Sequence, residues 1–183
     1  MPFKLMIDQE LIDGCLRRDE RSEIALYKKY YPLMSGIAIR YFKDKEMALY
    51  EMNYAYLKVL QSLKKFRAES KLATWIRRIC INHFIDVLRK ENKRSNHIDL
   101  DELPELATRD QMEYNWELEE LEYLLNGLPE KSALVFNLYV IDGYKHGEIA
   151  EILKITEGYS KWHLNRARNL LKQGMEQLKL RTQ

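Results

Sequence analysis

Residues 143–172 constrain the fold of this chain most strongly, because they predict two helices joined by a very short break. Apolar residues recur at helical spacing over residues 148–153, and residues 154–156 interrupt that pattern. Thr156 can cap the second helix by accepting a backbone hydrogen bond. The second helix has an apolar face at Leu164, Ala167 and Leu171. Its opposite face is polar and basic, and consists of Lys161, Trp162, Asn165, Arg166 and Asn169. This layout predicts a helix-turn-helix, whose second helix enters the major groove of DNA; an ordinary solvated helix pair is the alternative.

Composition extends the helical prediction to the whole chain. Its 183 residues include only seven Gly and four Pro, and few runs alternate in the way that strands do. That length suits one large domain or two small ones. We therefore expect an all-α protein.

The same sequence disfavours several functional classes. Cys15 and Cys80 form no CxxC pair, which predicts buried, reduced thiols. The histidines are too scattered for a metal site, and no Gly-rich phosphate loop is present, so we expect neither catalysis nor a cofactor. The first residues lack the pattern of a signal peptide, and no apolar run approaches the roughly 20 residues that span a bilayer. We expect a soluble, cytoplasmic protein without membrane insertion.

Charge alternates along the chain. Residues 58–94 carry eleven Lys and Arg against three acidic residues, and residues 143–181 carry eight against four. Between them, residues 99–122 carry ten acidic residues and a single Arg. A solvated surface would explain any one block, but the alternation favours two nucleic-acid contacts joined by a segment that avoids nucleic acid.

Periodicity divides the chain into two helical domains and a linker. The first domain is predicted over residues 1–94, the acidic linker over 95–114, where Pro104 falls, and the second domain over 115–183. Asp44 is expected to cap a long helix, and Pro32 to bend or restart another. Helices are predicted over residues 8–20, 22–31, 34–42, 45–63, 72–91, 115–125 and 130–141.

Aromatic and cationic residues are mixed over residues 66–79, on a loop and the helix that follows it. Bases of single-stranded DNA stack on aromatic faces while Lys and Arg follow the phosphates. Trp75 is better explained as a core residue because of its spacing to Ile76 and Ile79, whereas Phe66 suits either role.

At this point the chain resembles a known family. KKFRAESKLATWIRRICINHFIDVLRK is similar to region 2 of the extracytoplasmic-function (ECF) sigma factors of bacterial RNA polymerase, and ALYKKYYPLMSGIAIRYF to the first helices of that region. LPEKSALVFNLYVIDGYKHGEIAEILKITEGYSKWHLNRARNLL is similar to region 4. The resemblance covers about residues 22–94 and 118–178, in the family's order.

The resemblance implies a function and its partners. In that family region 2 binds the polymerase clamp and melts the −10 promoter element, and region 4 binds the −35 element as duplex. It implies core RNA polymerase, promoter DNA and an anti-sigma factor as partners. The implied −35 contacts are Lys161, Trp162, Asn165 and Arg166. The implied −10 contacts are Phe66, Arg67, Lys71, Arg77, Arg78, Asn82 and Arg89. The implied polymerase contacts are Glu51, Asn53 and Tyr54.

The chain also departs from the family pattern. Residues 48–56 read ALYEMNYAY where the family has roughly A-E-D-h-h-Q-E-h-F, with h apolar. Tyr50 and Tyr54 replace two acids, Asn53 replaces Gln, and only a displaced Glu51 remains acidic. Losing charge-assisted contacts predicts weaker clamp binding. Lys154 replaces the turn's common Gly, and Trp162 with His163 is expected to make the reading face bulkier.

Two other functions fit part of the sequence. A stand-alone helix-turn-helix regulator would bind operators without polymerase, but it leaves the aromatic and basic block at residues 66–79 unexplained. A degenerate sigma-like interaction protein would sequester another regulator without reading DNA.

Overall fold

The computed structural model describes residues 7–94 and 123–181, with side chains from Ile7 to Glu91 and from Tyr123 to Leu178. Residue contacts divide the chain into two compact units, Met1–Ser95 and Asn96–Gln183. Every regular element in the described ranges is helical, which confirms the predicted all-α class. The predicted linker at 95–114 lies outside the described residues, as does most of the helix predicted at 115–125.

The first unit contains four α-helices. They are α1 (Asp8–Leu16), α2 (Glu20–Tyr41), α3 (Lys45–Ser62) and α4 (Leu72–Arg94), with a 3₁₀ turn at Leu63–Lys65. Helix α2 packs against the other three, and α3 also packs against α4. Phe84 of α4 is fully buried, with its ring edge-to-face against that of Phe42, the residue after α2, at 5.3 Å between centroids. Burial of one apolar stripe from each helix therefore builds this core.

Side-chain caps fix where α2 and α3 begin. The Asp19 carboxylate accepts a hydrogen bond from the backbone N–H of Ser22 at 3.0 Å, and Asp44 accepts one from Glu46 at 2.8 Å. Each cap satisfies a backbone donor that has no partner within the helix. The predicted cap at Asp44 is confirmed.

Pro32 was predicted to bend or restart a helix, and the restart is wrong. Helix α2 continues from Glu20 to Tyr41 with Pro32 inside it. Leu26 and Tyr30 before the proline and Met34 and Ile37 after it are all buried. Continuous packing along α2 offsets the loss of the backbone hydrogen bond that proline cannot make.

The second unit is built around the predicted helix-turn-helix. Its elements are residues 123–126 in helical conformation, α5 (Glu130–Phe136), a π-helical turn at Asn137–Ile141, α6 (His146–Leu153) and α7 (Glu157–Arg181). Helix α7 packs on α5 and α6 around a core whose buried members are Leu124, Leu128, Val135, Leu138, Ile149, Leu164 and Ala167.

The turn between α6 and α7 is closed by two local features. Lys154 adopts a left-handed conformation with φ 56° and ψ 48°, where glycine is ordinarily favoured. Thr156 then accepts a hydrogen bond from the backbone N–H of Tyr159 at 3.1 Å. The predicted cap at Thr156 is confirmed, and it sets the first turn of the second helix.

Both cysteines are buried free thiols, as predicted. Burial raises the pKa of the Cys15 thiol to about 11 and that of the Cys80 thiol to about 12. Because the thiolate is the reactive form, both side chains act as small apolar core groups near neutral pH.

A matched pair of glycines tests the packing of α1 on α2. A Cβ added at Gly14 would overlap the Ser22 side chain, whereas one added at Gly36 would meet nothing within 4 Å. We expect Gly14→Ala to lower the free energy of unfolding by about 1–3 kcal/mol. Gly36→Ala should raise it by up to about 1 kcal/mol, because alanine favours the helix. Urea denaturation followed by circular dichroism measures both, and equal effects of the two variants would contradict this packing.

Candidate nucleic-acid interface

The four residues predicted to read DNA lie on one side of helix α7. Lys161, Trp162 and Asn165 are exposed and Arg166 is half-buried, whereas Leu164 and Ala167 face the core. The 3.6-residue helical period places these two groups on opposite faces. The structure therefore brings the predicted set together on the outer face of a helix-turn-helix.

An aromatic pair dominates this face. The rings of Tyr159 and Trp162 are parallel, with an interplanar angle of 0° and centroids 5.7 Å apart. The Arg166 guanidinium carbon lies 5.2 Å from the Trp162 ring centroid, a cation–π contact. Tyr159 was not among the predicted contacts, although its i, i+3 spacing to Trp162 places both on one helical face.

His163 does not lie on this face, contrary to our prediction. It is buried, and its Nδ1 lies 2.9 Å from the Ser132 hydroxyl of α5. Its ring stands edge-to-face against Tyr159 at 4.3 Å and against Trp162 at 4.8 Å. A residue adjacent to Trp162 is rotated about 100° around the helix, so His163 supports the aromatic pair from beneath.

A second histidine joins α6 to α7. Nδ1 of His146, the first residue of α6, lies 2.9 Å from the buried Ser160 hydroxyl of α7. The His146 ring also stacks on Tyr139 at 4.4 Å. Burial, with the positive charge of Lys161, lowers the pKa of His146. The neutral ring therefore fixes the start of the first helix against the second near pH 7.

In the first unit, part of α4 forms a second basic face. Arg78 and Asn82 are exposed and Arg89 is half-buried, and helical spacing puts all three on the side away from Phe84. The Arg89 guanidinium lies 3.5 Å from the Asp86 carboxylate. Arg77 is half-buried beside Cys80, where its positive charge opposes the rise that burial causes in the pKa of the thiol. The structure therefore separates Arg77 from the other three residues.

The loop before α4 completes this surface. Arg67 and Lys71 are exposed on it, and Ala68 adopts a positive φ of 56°. Phe66 is half-buried, with its ring 5.3 Å from that of Trp75. Trp75 is itself half-buried rather than a core residue. The two rings form one aromatic platform between the loop and α4.

Helix α3 has an exposed aromatic and apolar face. Tyr50 and Tyr54 are 64% and 49% exposed, and Leu57 continues the row at helical spacing. Asn53 is exposed beside them, and its side-chain oxygen accepts a hydrogen bond from the Tyr27 hydroxyl at 2.8 Å. Two of the three predicted polymerase contacts, Asn53 and Tyr54, therefore share one surface.

Glu51, the third predicted polymerase contact, is only 7% exposed. Its carboxylate accepts a hydrogen bond from Nε2–H of buried His83 at 2.6 Å. Nδ1 of His83 accepts one from the Lys58 ammonium at 2.9 Å, because a lysine can only donate. Burial therefore removes Glu51 from the contact surface. The hydrogen bond to His83 stabilises the buried side chain, because an unpaired acid in the core would be costly.

This buried cluster also reaches the exposed face of α3. The His83 ring stacks on Tyr54 with centroids 5.3 Å apart, and Lys58 Nζ lies 5.8 Å from the centre of the Tyr54 ring. Burial and the positive charge of Lys58 lower the pKa of His83, although Glu51 and Asp86 oppose that shift. His83 is therefore neutral near pH 7 and orients Tyr54 from below.

Neither a metal cluster nor a membrane helix is found in the parts of the chain that the structure describes. There, no group of three or more His, Cys, Asp or Glu residues could hold a metal ion. No helix in those parts is long and apolar enough to cross a bilayer.

Two family models match this chain. Sigma-70 region 2 matches residues 26–94, and Sigma-70, region 4 matches residues 118–171. The ECF RNA polymerase sigma-E factor of Haemophilus influenzae is 23% identical over 185 residues, covering 94% of this chain and 97% of that protein. The RNA polymerase sigma-H factor of Pseudomonas aeruginosa is 25% identical over 188 residues, covering 93% and 95%.

Two solved structures share the fold. The sigma factor RpoE of Bartonella quintana, in complex with the anti-sigma factor NepR, has a TM-score of 0.55 at 21% identity, covering 82% of this chain and 94% of that one. CnrH, in complex with the cytosolic domain of CnrY, has a TM-score of 0.52 at 17% identity, covering 92% and 97%.

The lowered pKa of His83 predicts how stability depends on pH. An unfolded histidine takes up a proton near pH 6.5, whereas folded His83 resists protonation until lower pH. The unfolded state therefore binds more protons below pH 6.5, and the free energy of unfolding falls as the solution is acidified. One such group gives a slope of at most about 1.4 kcal/mol per pH unit.

The variant His83→Gln isolates this contribution, because glutamine can still donate to Glu51 but does not titrate. We expect its free energy of unfolding, measured by urea denaturation from pH 7.5 to 5.0, to fall less steeply than that of the wild type. Parallel pH profiles for the two proteins would show that His83 does not carry the effect.

Proposed function

This chain belongs to the sigma-70 family of RNA polymerase sigma factors, in its extracytoplasmic-function branch, and we propose how its two units share promoter recognition. The second unit reads the −35 element as duplex through α7. The first unit binds core RNA polymerase through α3 and opens the −10 element with α4 and its preceding loop. The observation that carries this proposal is the outer face of α7, where Lys161, Trp162, Asn165 and Arg166 lie together opposite the core.

We assign different contacts with the −35 duplex to different residues of α7. An Arg fork suits the O6 and N7 acceptors of guanine, and an Asn amide suits the N6 and N7 groups of adenine. We assign those base contacts to Arg166 and Asn165. Lys161 lies at the side of the face, and we assign it to a phosphate. Each base contact would contribute roughly 1–3 kcal/mol of discrimination.

Opening of the −10 element rests on the surface formed by α4 and its loop. The aromatic platform of Phe66 and Trp75 offers a stacking surface for an extruded base, which would offset an unstacking cost of a few kcal/mol. Arg67 and Lys71 are exposed beside it, and Arg78, Asn82 and Arg89 continue along α4. Arg77 is half-buried on another side, so we assign it to the support of α4.

Docking on core polymerase rests on the exposed face of α3. Tyr50, Asn53, Tyr54 and Leu57 form an uncharged surface, and Glu51 beneath them acts through His83 and not by direct contact. Burial of aromatic area is less sensitive to salt than ion pairing. We therefore propose that this chain docks mainly by apolar contact, and that its affinity for polymerase changes little between low and high salt.

The remaining aspects of function follow from the family. Its members are transcription initiation factors, and we propose that this chain likewise has no catalytic activity and needs no cofactor. We place it in the cytoplasm, where its polymerase partner acts. The structures of similar fold were solved as complexes with an anti-sigma factor and with a cytosolic domain. On that basis we propose an anti-sigma factor as a further partner.

In vitro transcription with purified core polymerase on a promoter library tests the whole proposal. We expect selective initiation at a subset of promoters that share two sequence elements. Tight duplex binding by the isolated chain without polymerase association would indicate a stand-alone regulator instead. Helical stability without salt-dependent DNA affinity would indicate an interaction protein.

Arg166→Ala should separate DNA reading from polymerase binding. Losing one bidentate base contact is expected to lower initiation at the selected promoters about 10- to 100-fold. Co-elution with core polymerase should be unchanged, because α3 is intact. Loss of both properties, with a lower helical content by circular dichroism, would mean that the substitution had unfolded the second unit.

Tyr54→Ala should weaken binding to core polymerase and leave the DNA-reading face of α7 intact. Removing an exposed aromatic contact is expected to weaken binding to core polymerase about tenfold or more, as measured by fluorescence titration at 0.1 and 0.5 M salt. Ile39→Ala is the matched control, because Ile39 is 58% exposed on α2 of the same unit. Wild-type affinity for Tyr54→Ala, or an effect as large for Ile39→Ala, would rule out this docking face.

A further inference from the structure

We propose that Tyr159 and Trp162 recognise a thymine 5-methyl group in the −35 duplex, with Arg166 reading a guanine on the same or a neighbouring base pair. The inference rests on the proposed role of α7 and specifies what its face reads. It goes beyond the polar contacts assigned above, because it predicts a hydrophobic component of sequence specificity.

The aromatic pair offers a broad apolar surface where a reading helix meets DNA. Tyr159 and Trp162 are 41% and 47% exposed, and their parallel rings lie on the same side of α7 as Asn165 and Arg166. In an isolated unit this arrangement leaves apolar area in water, which has an unfavourable free energy. Binding that covers the two rings would recover that free energy.

The surface is also held rigidly. His163 contacts both rings edge-to-face from beneath, and its Nδ1 lies 2.9 Å from the Ser132 hydroxyl of α5. The aromatic pair is thus supported by the core of the unit and loses little conformational freedom on binding. Rigid aromatic surfaces of this kind contribute much of the energy at interfaces.

The chemistry of the major groove selects the partner of such a surface. The floor of the groove is lined by hydrogen-bond donors and acceptors, and its distinctive apolar group is the thymine C5 methyl. An aromatic face placed over polar base edges would desolvate them without compensation. Placed over a thymine methyl, it buries apolar area on both molecules. The Tyr159–Trp162 pair therefore favours A·T pairs oriented with the methyl group toward α7.

Arg166 extends this recognition to a neighbouring position. Its guanidinium carbon lies 5.2 Å from the Trp162 ring centroid, so the cation–π contact orients the planar fork beside the aromatic surface. Successive base pairs are about 3.4 Å apart along the duplex axis. Groups this close reach the same base pair or adjacent ones. The expected element thus pairs a methyl contact with a guanine contact.

The test removes the methyl group from the DNA and leaves the protein unchanged. Promoters would be selected by initiation with holoenzyme, and each −35 thymine would be replaced singly by deoxyuridine, which pairs normally but lacks the methyl. We expect one replacement to lower holoenzyme affinity about three- to fivefold, the effect of burying about one methyl group. Replacing an adjacent guanine by 7-deazaguanine should lower the affinity further in the wild type but not in Arg166→Ala.

Variants of the two aromatic residues test the protein side of the contact. Trp162→Phe keeps an apolar ring and should retain the preference for thymine over deoxyuridine. The double variant with Tyr159→Ser and Trp162→Ser lacks both rings and should bind both DNAs equally. Met175→Ala is the matched control, because Met175 is 49% exposed on the same helix away from the reading face. It should bind both DNAs as the wild type does.

Two failures can be told apart. If holoenzyme initiates selectively but deoxyuridine is tolerated at every −35 thymine, the methyl contact is refuted and the proposed function stands. The same holds if the selected elements contain no thymine. If no selective initiation occurs, the proposed function fails and this inference with it. A thymine preference that persists in the double variant with Tyr159→Ser and Trp162→Ser would assign the methyl contact to another residue and would also refute the inference.

Discussion

The fold and its two candidate nucleic-acid surfaces depend on one constraint: each helix can present an outer face only if its other face is buried. In α4, Phe84 and its apolar neighbours anchor the helix, so that Arg78, Asn82 and Arg89 lie outward. In α7, burial of Leu164 and Ala167 holds the reading face outward in the same way. The rotational position of each helix is therefore set by its apolar stripe, and any recognition chemistry is confined to the remaining positions.

This constraint explains what could be predicted from the sequence. Periodicity and local hydrogen bonds are encoded within a single segment of the sequence, and several correct predictions depend on them. These are the helix-turn-helix, the caps at Asp44 and Thr156, and the shared face of Lys161, Trp162 and Asn165. Continuation of α2 through Pro32 could not be predicted in this way. It depends on packing of Tyr30 and Met34 against other helices, and that packing overrides a strong local signal.

Polar residues that find partners far along the chain were another source of error. Glu51 has the character of a surface acid, yet it is buried because His83, 32 positions away, donates to its carboxylate. His163 has the character of a reading-face residue, yet it is buried beside Ser132, 31 positions away. In the first case His83, the partner of Glu51, lies beneath exposed Tyr54, and in the second case His163 itself lies beneath Tyr159 and Trp162. Helical spacing found exposed Trp162, and the family resemblance found exposed Tyr54. Neither found exposed Tyr159 or the buried groups that orient these rings.

The two units thus use the same physical device at different surfaces. In α3, Tyr54 stacks on His83, and in α7, Tyr159 and Trp162 rest on His163. Each histidine is fixed by a buried hydrogen-bond partner, so each aromatic group is oriented before any partner arrives. Aromatic contacts of this kind are weakly sensitive to salt, whereas the Lys and Arg residues beside them act through counterion release and are strongly sensitive. Selectivity in this chain should therefore persist as ionic strength rises, while its general affinity for DNA declines.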